Sequence, residues 1–284
     1  MERFLIRTNK IKDPGLEITN RIADFLRSHE KSVSIESMDE AGIFGEEHAA
    51  SFDPGAEPDL VIVLGGDGTM LRAARDFMYV NVPLLGVNLG SLGYLTEVEK
   101  DNVIPALEKI LKGDYTIEER MMIEGTFLRQ GTEAGHVRAL NDISILKENP
   151  FQAIGLNIYV NDRFLKDYNA DGVIVSTPTG STGYNLSAGG PIVEPGADLL
   201  VLTPVSPHTL MARSIILSAK DEIRIELKGP KDGAFQKALA SADSASNFDL
   251  ESGDSFVLKK SDMRTKIVKL SSVSFLEVLS KKLR

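Results

Sequence analysis

The stretch DLVIVLGGDGTML, residues 59–71, places one acid inside a loop of glycines. Leu60–Leu64 is a continuous apolar run, and glycines at 65, 66 and 68 surround Asp67. Glycines at the carboxyl end of a parallel strand let the backbone approach a ligand closely, and the next helix can begin against a phosphate. An acid repels phosphate, however. Asp67 therefore contacts a different part of a substrate, or it is only a helix cap; the loop alone leaves both interpretations open.

The loop matches neither of the two common phosphate-binding patterns. No lysine follows the last glycine, as a Walker A sequence requires, and the spacing is not G-x-G-x-x-G. The nucleotide interpretation therefore depends on other parts of the chain.

The second candidate is NADGVIVSTPTGSTGYNLSAGGP, residues 169–191. After the short strand GVIVS it carries five hydroxyl groups, those of Ser176, Thr177, Thr179, Ser181 and Thr182. Hydroxyls bind sugar and phosphate oxygens without adding positive charge, and an aromatic ring such as the adjacent tyrosine can stack on a base. A solvated Ser/Thr loop is the alternative, and composition does not decide between the two.

A polar pair interrupts the apolar segment RALNDISIL. Asn141 offers a paired donor and acceptor that can recognise an adenine edge, and Asp142 can accept hydrogen bonds from ribose hydroxyls. Taken alone, the pair favours a β-bulge or a strand end at which both residues face water.

A further glycine-rich segment, GVNLGSLGYLTEV at 86–98, also follows a buried strand. Neighbouring parallel strands bring their loops to the same sheet edge, so this segment predicts a second side of the cleft beside Asp67.

Composition excludes several other functions. The chain has 284 residues, 42% hydrophobic and 26% charged, no cysteine, and a formal net charge of −9. Disulfides and thiolate chemistry are therefore absent, and an acidic chain without a basic face argues against binding to nucleic acid or to an anionic membrane. No apolar run approaches membrane-spanning length, and the N-terminus is polar again by Arg7, unlike a signal peptide. These features predict a cytoplasmic protein.

The histidines and serines do not indicate hydrolytic or metal chemistry. His29, His48, His136 and His208 lack metal-ligand spacing, which argues against a zinc site, and Ser181 is not in a G-x-S-x-G elbow. His208, in SPHTL at 206–210, is either a ligand contact or a structural residue.

The two halves of the chain have different patterns. Through about residue 115, strand-like and helix-like segments alternate, which predicts an α/β domain with a parallel sheet; the stretch from about 36 to 57 is predicted to be irregular. From residue 120, short segments of alternating polarity predict an all-β domain of two packed sheets, with a turn at Asn161–Asp162. Among these segments, HVRALNDISIL is predicted to be one strand, and DSFVLKKS and TKIVKL are predicted to be two separate strands. The tail SVSFLEVLSKKLR is predicted to be helical, with Phe275, Leu276 and Leu279 on one face.

The chain resembles the NAD kinase family in four motifs and in their order along nearly its whole length. The motifs are GGDGT at 65–69, NLGSLGYLTEV at 88–98, ND at 141–142 and DGVIVSTPTGSTGYNLSAGGPIV at 171–193. GGDGT also occurs in lipid and sphingoid kinases and in phosphofructokinases, whereas the 171–193 string is far more specific.

The resemblance implies transfer of the γ-phosphoryl group of ATP to the 2′-hydroxyl of the adenosine ribose of NAD, giving NADP, with a divalent cation, Mg²⁺ or Mn²⁺. It implies domains at 1–118 (α/β) and 119–270 (β-rich, NAD-binding), a C-terminal helix at 271–284 that packs on the first domain, and a homodimer or homotetramer. Asp67 takes the hydroxyl proton by this resemblance. The residues implied to bind the nucleotides are Gly66, Gly68, Thr69, Arg72, Tyr94, Asn141, Asp142, Asp171, Thr179, Thr182, Gly183, Tyr184, Ser187 and His208.

Some positions depart from the family pattern. Asp142 stands where many members have Glu, Gly183 where Ala is common, Ser91 where a basic residue is common, and Ala245, in SADSAS, where Gln is usual. Two rival functions stay open from the sequence: a lipid or sphingoid kinase, and a dinucleotide sensor that has lost turnover.

Overall fold

The computed structural model describes residues 1–38, 57–90, 93–209, 211–229, 235–270 and 273–282. The chain divides into two compact units, one formed by Met1–Arg120 with Arg264–Arg284 and the other by Met121–Met263. Residues 264–270, which the sequence assigns to the second domain, thus belong to the first unit. The assignment of functions to domains stays a prediction.

The first unit alternates strands and helices. Its elements are β1 (Arg3–Asn9), α1 (Glu17–Ser28), β2 (Ser32–Met38), β3 (Leu60–Gly65), α2 (Asp67–Phe77), β4 (Leu84–Asn88), β5 (Val98–Glu99) and α3 (Val103–Lys112), with 3₁₀ turns at Pro14–Leu16 and Lys100–Asn102. Strand β2 was not predicted, although Val33 and Ile35 alternate with serines. Because β2 extends to Met38, residues 36–38 do not belong to the stretch predicted to be irregular. Residues 39–56 of that stretch lie outside the described residues.

A parallel sheet forms the centre of this unit. Strands β4, β3, β1 and β2 are adjacent in that order, every pair is parallel, and β5 pairs with β4. All six residues of β3 are buried. Apolar side chains of α1 and α3 pack with alternate residues of β1 and β3, including Phe4, Ile6 and Ile62, in one core cluster. The predicted α/β class is therefore confirmed.

The opposite face of β1 carries a buried cation. The Arg7 side chain has no solvent exposure, its Nη2 lies 2.8 Å from a carboxylate oxygen of Asp76, and its guanidinium lies 5.0 Å from the centre of the Phe77 ring. Glu36 lies further away, at 3.7 Å. Burial lowers the pKa of Arg7, and the charge of Asp76 opposes that shift. This ion pair fastens the last turn of α2 to the sheet.

The second unit consists mainly of antiparallel strands. Its elements are β6 (Thr116–Arg129), which starts in the first unit, β7 (Thr132–Ala139), β8 (Asp142–Lys147), β9 (Ile154–Val160), β10 (Arg163–Ala170), β11 (Gly172–Ser176), a 3₁₀ turn (Thr179–Thr182), α4 (Tyr184–Ser187), β12 (Leu199–Val205), β13 (Ile215–Ser218), β14 (Ile223–Leu227), β15 (Lys237–Ala242), β16 (Ser246–Glu251) and β17 (Ser255–Lys269), which ends in the first unit.

Two sheets of this unit enclose one core, as predicted for a sandwich. One sheet has the order β13, β12, β11, β8, β15, β16, and the other contains β10, β9, β14, β17, β6 and β7. Side chains such as Ile145 and Val173 from the first sheet share the core cluster with Ile158 and Phe256 from the second. The predicted turn at Asn161–Asp162 is present, and both residues have positive φ, as a tight hairpin requires.

Two segment predictions for this unit were wrong. HVRALNDISIL is not one strand, because β7 ends at Ala139 and β8, in the other sheet, begins at Asp142. DSFVLKKS and TKIVKL are not two strands but parts of the 15-residue β17. Polarity patterns do not record which sheet a strand joins, so neither error was visible in the sequence.

The chain returns to the first unit at its end. Ile267 of β17 pairs in parallel with Leu84, and helix α5 spans Phe275–Lys282. The predicted helix is confirmed, but Leu276 is 67% exposed, whereas Phe275 and Leu279 are half-buried, so Leu276 does not share their face. Over the described residues, no helix combines the length and apolarity that crossing a bilayer demands.

The buried ion pair gives a prediction for stability. Asp76→Asn leaves the Arg7 charge without its nearest partner, and we expect a loss of about 3 kcal/mol of unfolding free energy. The exposed Asp24–Arg27 pair, 3.9 Å apart, provides the matched control, and Asp24→Asn should leave the urea midpoint unchanged. Equal midpoints for the two variants in urea unfolding followed by circular dichroism would contradict the role given to Asp76.

Candidate active site

Asp67 is the first residue of α2, directly after β3 and Gly66. Its two carboxylate oxygens accept hydrogen bonds from different backbone groups: Oδ2 from the N–H of Tyr94 at 2.8 Å, and Oδ1 from the N–H of Leu95 at 2.9 Å. The side chain is half-buried. Because a carboxylate has about four acceptor positions, both oxygens can still accept a hydrogen bond from a ligand. Asp67 is thus held by the neighbouring loop rather than acting as a helix cap.

The segment after β4 is the second side of this site, as its glycines predicted. A Cβ atom at Gly93 would lie 2.0 Å from Oδ1 of Asp67, so only glycine fits there. Thr69 fills the space beside Gly65 in a similar way, since a Cβ at Gly65 would lie 2.2 Å from the Thr69 hydroxyl. Thr69 is buried.

The Tyr94 ring contacts the C-terminal helix. Its centre lies 6.3 Å from that of Phe275, and Nζ of Lys282 lies 3.8 Å from it, a cation–π arrangement. Burial, and then the charge of Asp67, raise the pKa of the Tyr94 hydroxyl. Helix α5 therefore supports the residue whose backbone N–H binds Asp67.

In the second unit, the link from β7 to β8 carries the Asn141–Asp142 pair from one sheet to the other. Its carbonyl groups accept hydrogen bonds from Thr177: the N–H donates to Asn141 at 2.8 Å and the hydroxyl to Leu140 at 2.6 Å. The N–H groups of Leu140, Asn141 and Asp142 in this link all donate to the Asp243 carboxylate, at 2.7, 2.8 and 3.2 Å. The pair is therefore a tightly held crossing, not a bulge that faces water.

The side chain of Asn141 presents an unsatisfied group. Within the described part of the chain, its Oδ1 is buried and has no hydrogen-bond partner. Gly180 approaches so closely that a Cβ there would lie 2.2 Å from the Asn141 carbonyl oxygen. A buried acceptor without a partner costs free energy, so Oδ1 indicates a donor on a ligand.

Asp142 is a buried acid beside a second acid. Burial, and then the charge of Asp243, raise its pKa to about 7. Tyr184 faces the same carboxylate: burial, Asp142 and Asp171, in that order, raise the pKa of its hydroxyl. Asp142 therefore changes protonation state near neutral pH.

The composition of the hydroxyl-rich segment suggested one open loop, but the structure shows otherwise. Thr179–Thr182 and α4 are short helical turns, and Ser176, Thr177 and Ser181 are fully buried. The hydroxyls of these three bond to backbone atoms; that of Ser181, for example, accepts from the N–H of Val193 at 3.0 Å. The remaining two threonines were the ones predicted to bind ligand. Thr179 is buried, and Thr182 is only half-buried.

The other predicted residues have different degrees of exposure. Gly68, Arg72, Tyr184, Ser187 and His208 are exposed. Asp171 forms an ion pair with Lys147 at 2.6 Å, and the His208 N–H donates to Asn169 at 2.8 Å. A Cβ at Gly183 would lie 3.3 Å from Nδ2 of Asn141, so the alanine that is common there needs only a small shift. Ser91 lies outside the described residues.

Models of two protein domains match the chain. Residues 27–115 match the ATP-NAD kinase N-terminal domain, and residues 140–270 match the ATP-NAD kinase C-terminal domain. The chain belongs to the NAD kinase family. The prediction of a phosphotransferase that phosphorylates NAD with ATP, using an alcohol group as acceptor, is confirmed, and a lipid or sphingoid kinase is not supported.

Relatives and solved structures agree with this family. The chain is 40% identical to the NAD kinase of Lachnoclostridium phytofermentans over 284 residues, covering 99% of each chain, and 41% identical to that of Agathobacter rectalis over 283 residues, covering 100% of this chain and 99% of the relative. An NAD kinase from Archaeoglobus fulgidus, solved with ATP, is 25% identical, with a TM-score of 0.76 over 99% of this chain and 98% of that one. Yeast NADH kinase, solved with NADH, is 24% identical and shares the fold, with a TM-score of 0.81 over 99% of this chain and 87% of that one.

The sequence analysis did not identify the structural role of two residues that contact the predicted site. Asp243 was noted only as part of SADSAS, and Gly93 only as one glycine of a loop. The Asp-Ser-Ala turn between two alternating segments was the available signal for Asp243. Nothing in the sequence gives the 2.0 Å approach of Gly93 to Asp67.

The close approach at Gly93 predicts an effect on activity. Gly93→Ala should displace the Asp67 carboxylate. Because the resemblance predicts that Asp67 takes the hydroxyl proton, and small misplacements of such a group are costly, we expect kcat to fall on the order of 100-fold. Gly90→Ala is the control, since nothing lies within 4 Å of a Cβ there. Rates of NADP formation for both variants measure the effect, and comparable rates would show that Asp67 does not depend on this contact.

The buried acid predicts a pH-dependent stability. The pKa of Asp142 is raised from 3.8 to about 7 in the folded state, so its charged form disfavours folding. This cost is absent below pH 4, grows as the pH rises, and is complete above pH 7. Asp142→Asn should therefore stabilise the unliganded protein at pH 8 by on the order of 2–4 kcal/mol relative to its effect at pH 4. The measurement is the unfolding midpoint of each variant and of the wild type at pH 4 and pH 8, with the exposed Asp249→Asn as control. The prediction is contradicted if Asp142→Asn changes the midpoint by the same amount at both pH values.

Proposed function

We propose that this NAD kinase transfers the γ-phosphoryl group of ATP to the 2′-hydroxyl of the adenosine ribose of NAD, with Asp67 as the general base. The observation that carries the proposal is the Asp67 carboxylate, fixed by two backbone N–H groups at the carboxyl end of a buried parallel strand. Ligands of open α/β sheets bind at that edge.

The proposed step is an in-line displacement. The 2′-oxygen forms a bond to the γ-phosphorus while the bond from that phosphorus to the β–γ bridging oxygen breaks, and ADP leaves. Asp67 orients the hydroxyl and accepts its proton as the new bond forms. The N–H groups of Tyr94 and Leu95 fix the orientation of the Asp67 carboxylate. In this proposal Asp67 binds the acceptor alcohol and not the triphosphate.

The divalent cation is proposed to enter with the substrate. In the described ranges of the chain, no three His, Asp or Glu side chains form a group that could hold a metal ion. The family resemblance implies Mg²⁺ or Mn²⁺ with ATP, and on the phosphates the cation would neutralise their charge. The exposed Gly68 leaves open space at the start of α2, which suits an approach of nucleotide to the backbone.

The adenosine half of NAD is assigned to the second unit. The unpaired Oδ1 of Asn141 can accept from the adenine amino group, and Asp142 can bond to ribose hydroxyls. Tyr184, 39% exposed and close to both Asp142 and Asp171, offers a ring for stacking. Thr179, Thr182, Gly183, Ser187 and His208 stay predicted dinucleotide contacts, and Gly66, Thr69 and Arg72 stay predicted nucleotide contacts. A homodimer or homotetramer and a cytoplasmic location also stay predictions.

Asp67→Asn provides the test of the chemical role. The amide preserves size but is a poor proton acceptor, so we expect kcat for NADP formation to fall at least ~100-fold while NAD binding, measured by calorimetry, stays within a few-fold. Asp114→Asn, an exposed acid of the same unit, is the control. A near-normal rate in Asp67→Asn removes this residue from the role of base. NAD binding by the wild type without ATP consumption would instead favour a sensor.

A further inference from the structure

The hairpin loop between β15 and β16 has a strained backbone. Ala242 pairs with Ser246, and within the loop Asp243 and Ser244 have φ angles of +48° and +58°. Residues other than glycine rarely adopt this left-handed region, and such strain persists where surrounding contacts impose it. The main contacts of this loop are made by Asp243.

Asp243 binds the whole Asn141–Asp142 link. Its carboxylate accepts the N–H groups of Leu140, Asn141 and Asp142, and its own N–H donates to the Asp142 carbonyl oxygen at 3.1 Å. Hydrogen bonds to a charged acceptor are stronger than those between neutral groups. These four bonds fix the backbone of both residues that the proposed function assigns to adenosine.

Asp243 also controls the charge around Asp142. Asp243 from the hairpin loop and the Tyr184 hydroxyl from α4 face the Asp142 carboxylate. Asp171, which is paired with Lys147, faces the same Tyr184 hydroxyl. After burial, the charge of Asp243 is the cause that raises the pKa of Asp142 to about 7. Asp243 thus fixes the backbone of the neighbouring acid and adds, after burial, to the rise of its pKa.

We propose that Asp243 is a positioning residue of the dinucleotide site, which holds Asn141 and Asp142 in the conformation that binds the adenosine half of NAD without contacting the ligand itself. The inference rests on the proposed function, because it takes the adenosine half to bind at Asn141 and Asp142. It assigns to a loop residue a role in affinity for the acceptor substrate and not in the phosphoryl transfer step.

The test compares Asp243→Asn and Asp243→Ala with the wild type in steady-state NADP formation. Both variants lose hydrogen bonds to the link, so we expect KM for NAD to rise about 10-fold or more, while kcat and KM for ATP change less than about 3-fold. In Asp243→Asn the negative charge is also lost. The midpoint of kcat/KM for NAD against pH should therefore move by roughly one unit toward acid, whichever form of Asp142 binds NAD.

Asp249→Asn, the same substitution on strand β16 of the same hairpin, is the matched control and should change neither KM nor the midpoint. The proposal is overturned if Asp243→Asn behaves like Asp249→Asn, or if kcat falls with KM for NAD unchanged. Should Asp243→Ala not fold, the pH midpoint of Asp243→Asn decides alone. Absence of NADP formation by the wild type would count against the proposed function instead, so the two failures are distinguishable.

Discussion

The carboxylate of Asp67 and the two backbone N–H groups that hold it constrain the design of the first unit. For Tyr94 and Leu95 to reach Asp67, β3 and β4 must be adjacent and parallel, so that their carboxyl ends lie at one edge. The contact also requires glycine at position 93. The neighbouring loop supplies the two hydrogen-bond donors that fix this acid inside its glycine loop, and both oxygens keep acceptor positions for the alcohol that the proposed function assigns to them.

In the second unit an aspartate carboxylate also accepts backbone N–H groups, but there the backbone is the part that is held in place. There the carboxylate of Asp243 receives N–H groups and holds other residues, whereas in the first unit the held carboxylate is the one that we propose as the general base. In both cases an aspartate accepts hydrogen bonds from a segment distant in sequence, by 27 and 28 residues for Asp67 and by 101 to 103 residues for Asp243. Short, charge-assisted bonds of this kind fix geometry at low cost in side-chain entropy.

Much of the fold was predictable because periodicity reports burial. The apolar run at 60–64 indicated β3, and the alternating segments indicated the sandwich. The resemblance selected the motif residues of the site, and their contacts with ligand stay predictions. The crossing at Leu140–Asn141 and the continuity of β17 were not, because local polarity is the same whether a chain stays in one sheet or changes to another. Likewise, five hydroxyls in one segment do not tell which three point into the protein, since that depends on backbone partners such as Val193 and Leu140.

The order in which the chain is synthesised conflicts with the order in which its units can be completed. Residues 1–120 leave the ribosome first, but Ile267 and helix α5, which complete that unit beside Leu84 and Tyr94, are translated last. Residues 121–263 form a contiguous unit that needs no later segment for its described core. Since domains generally fold as whole units, the first unit can be completed only once residues 264–284 are available, although its other strands are synthesised first.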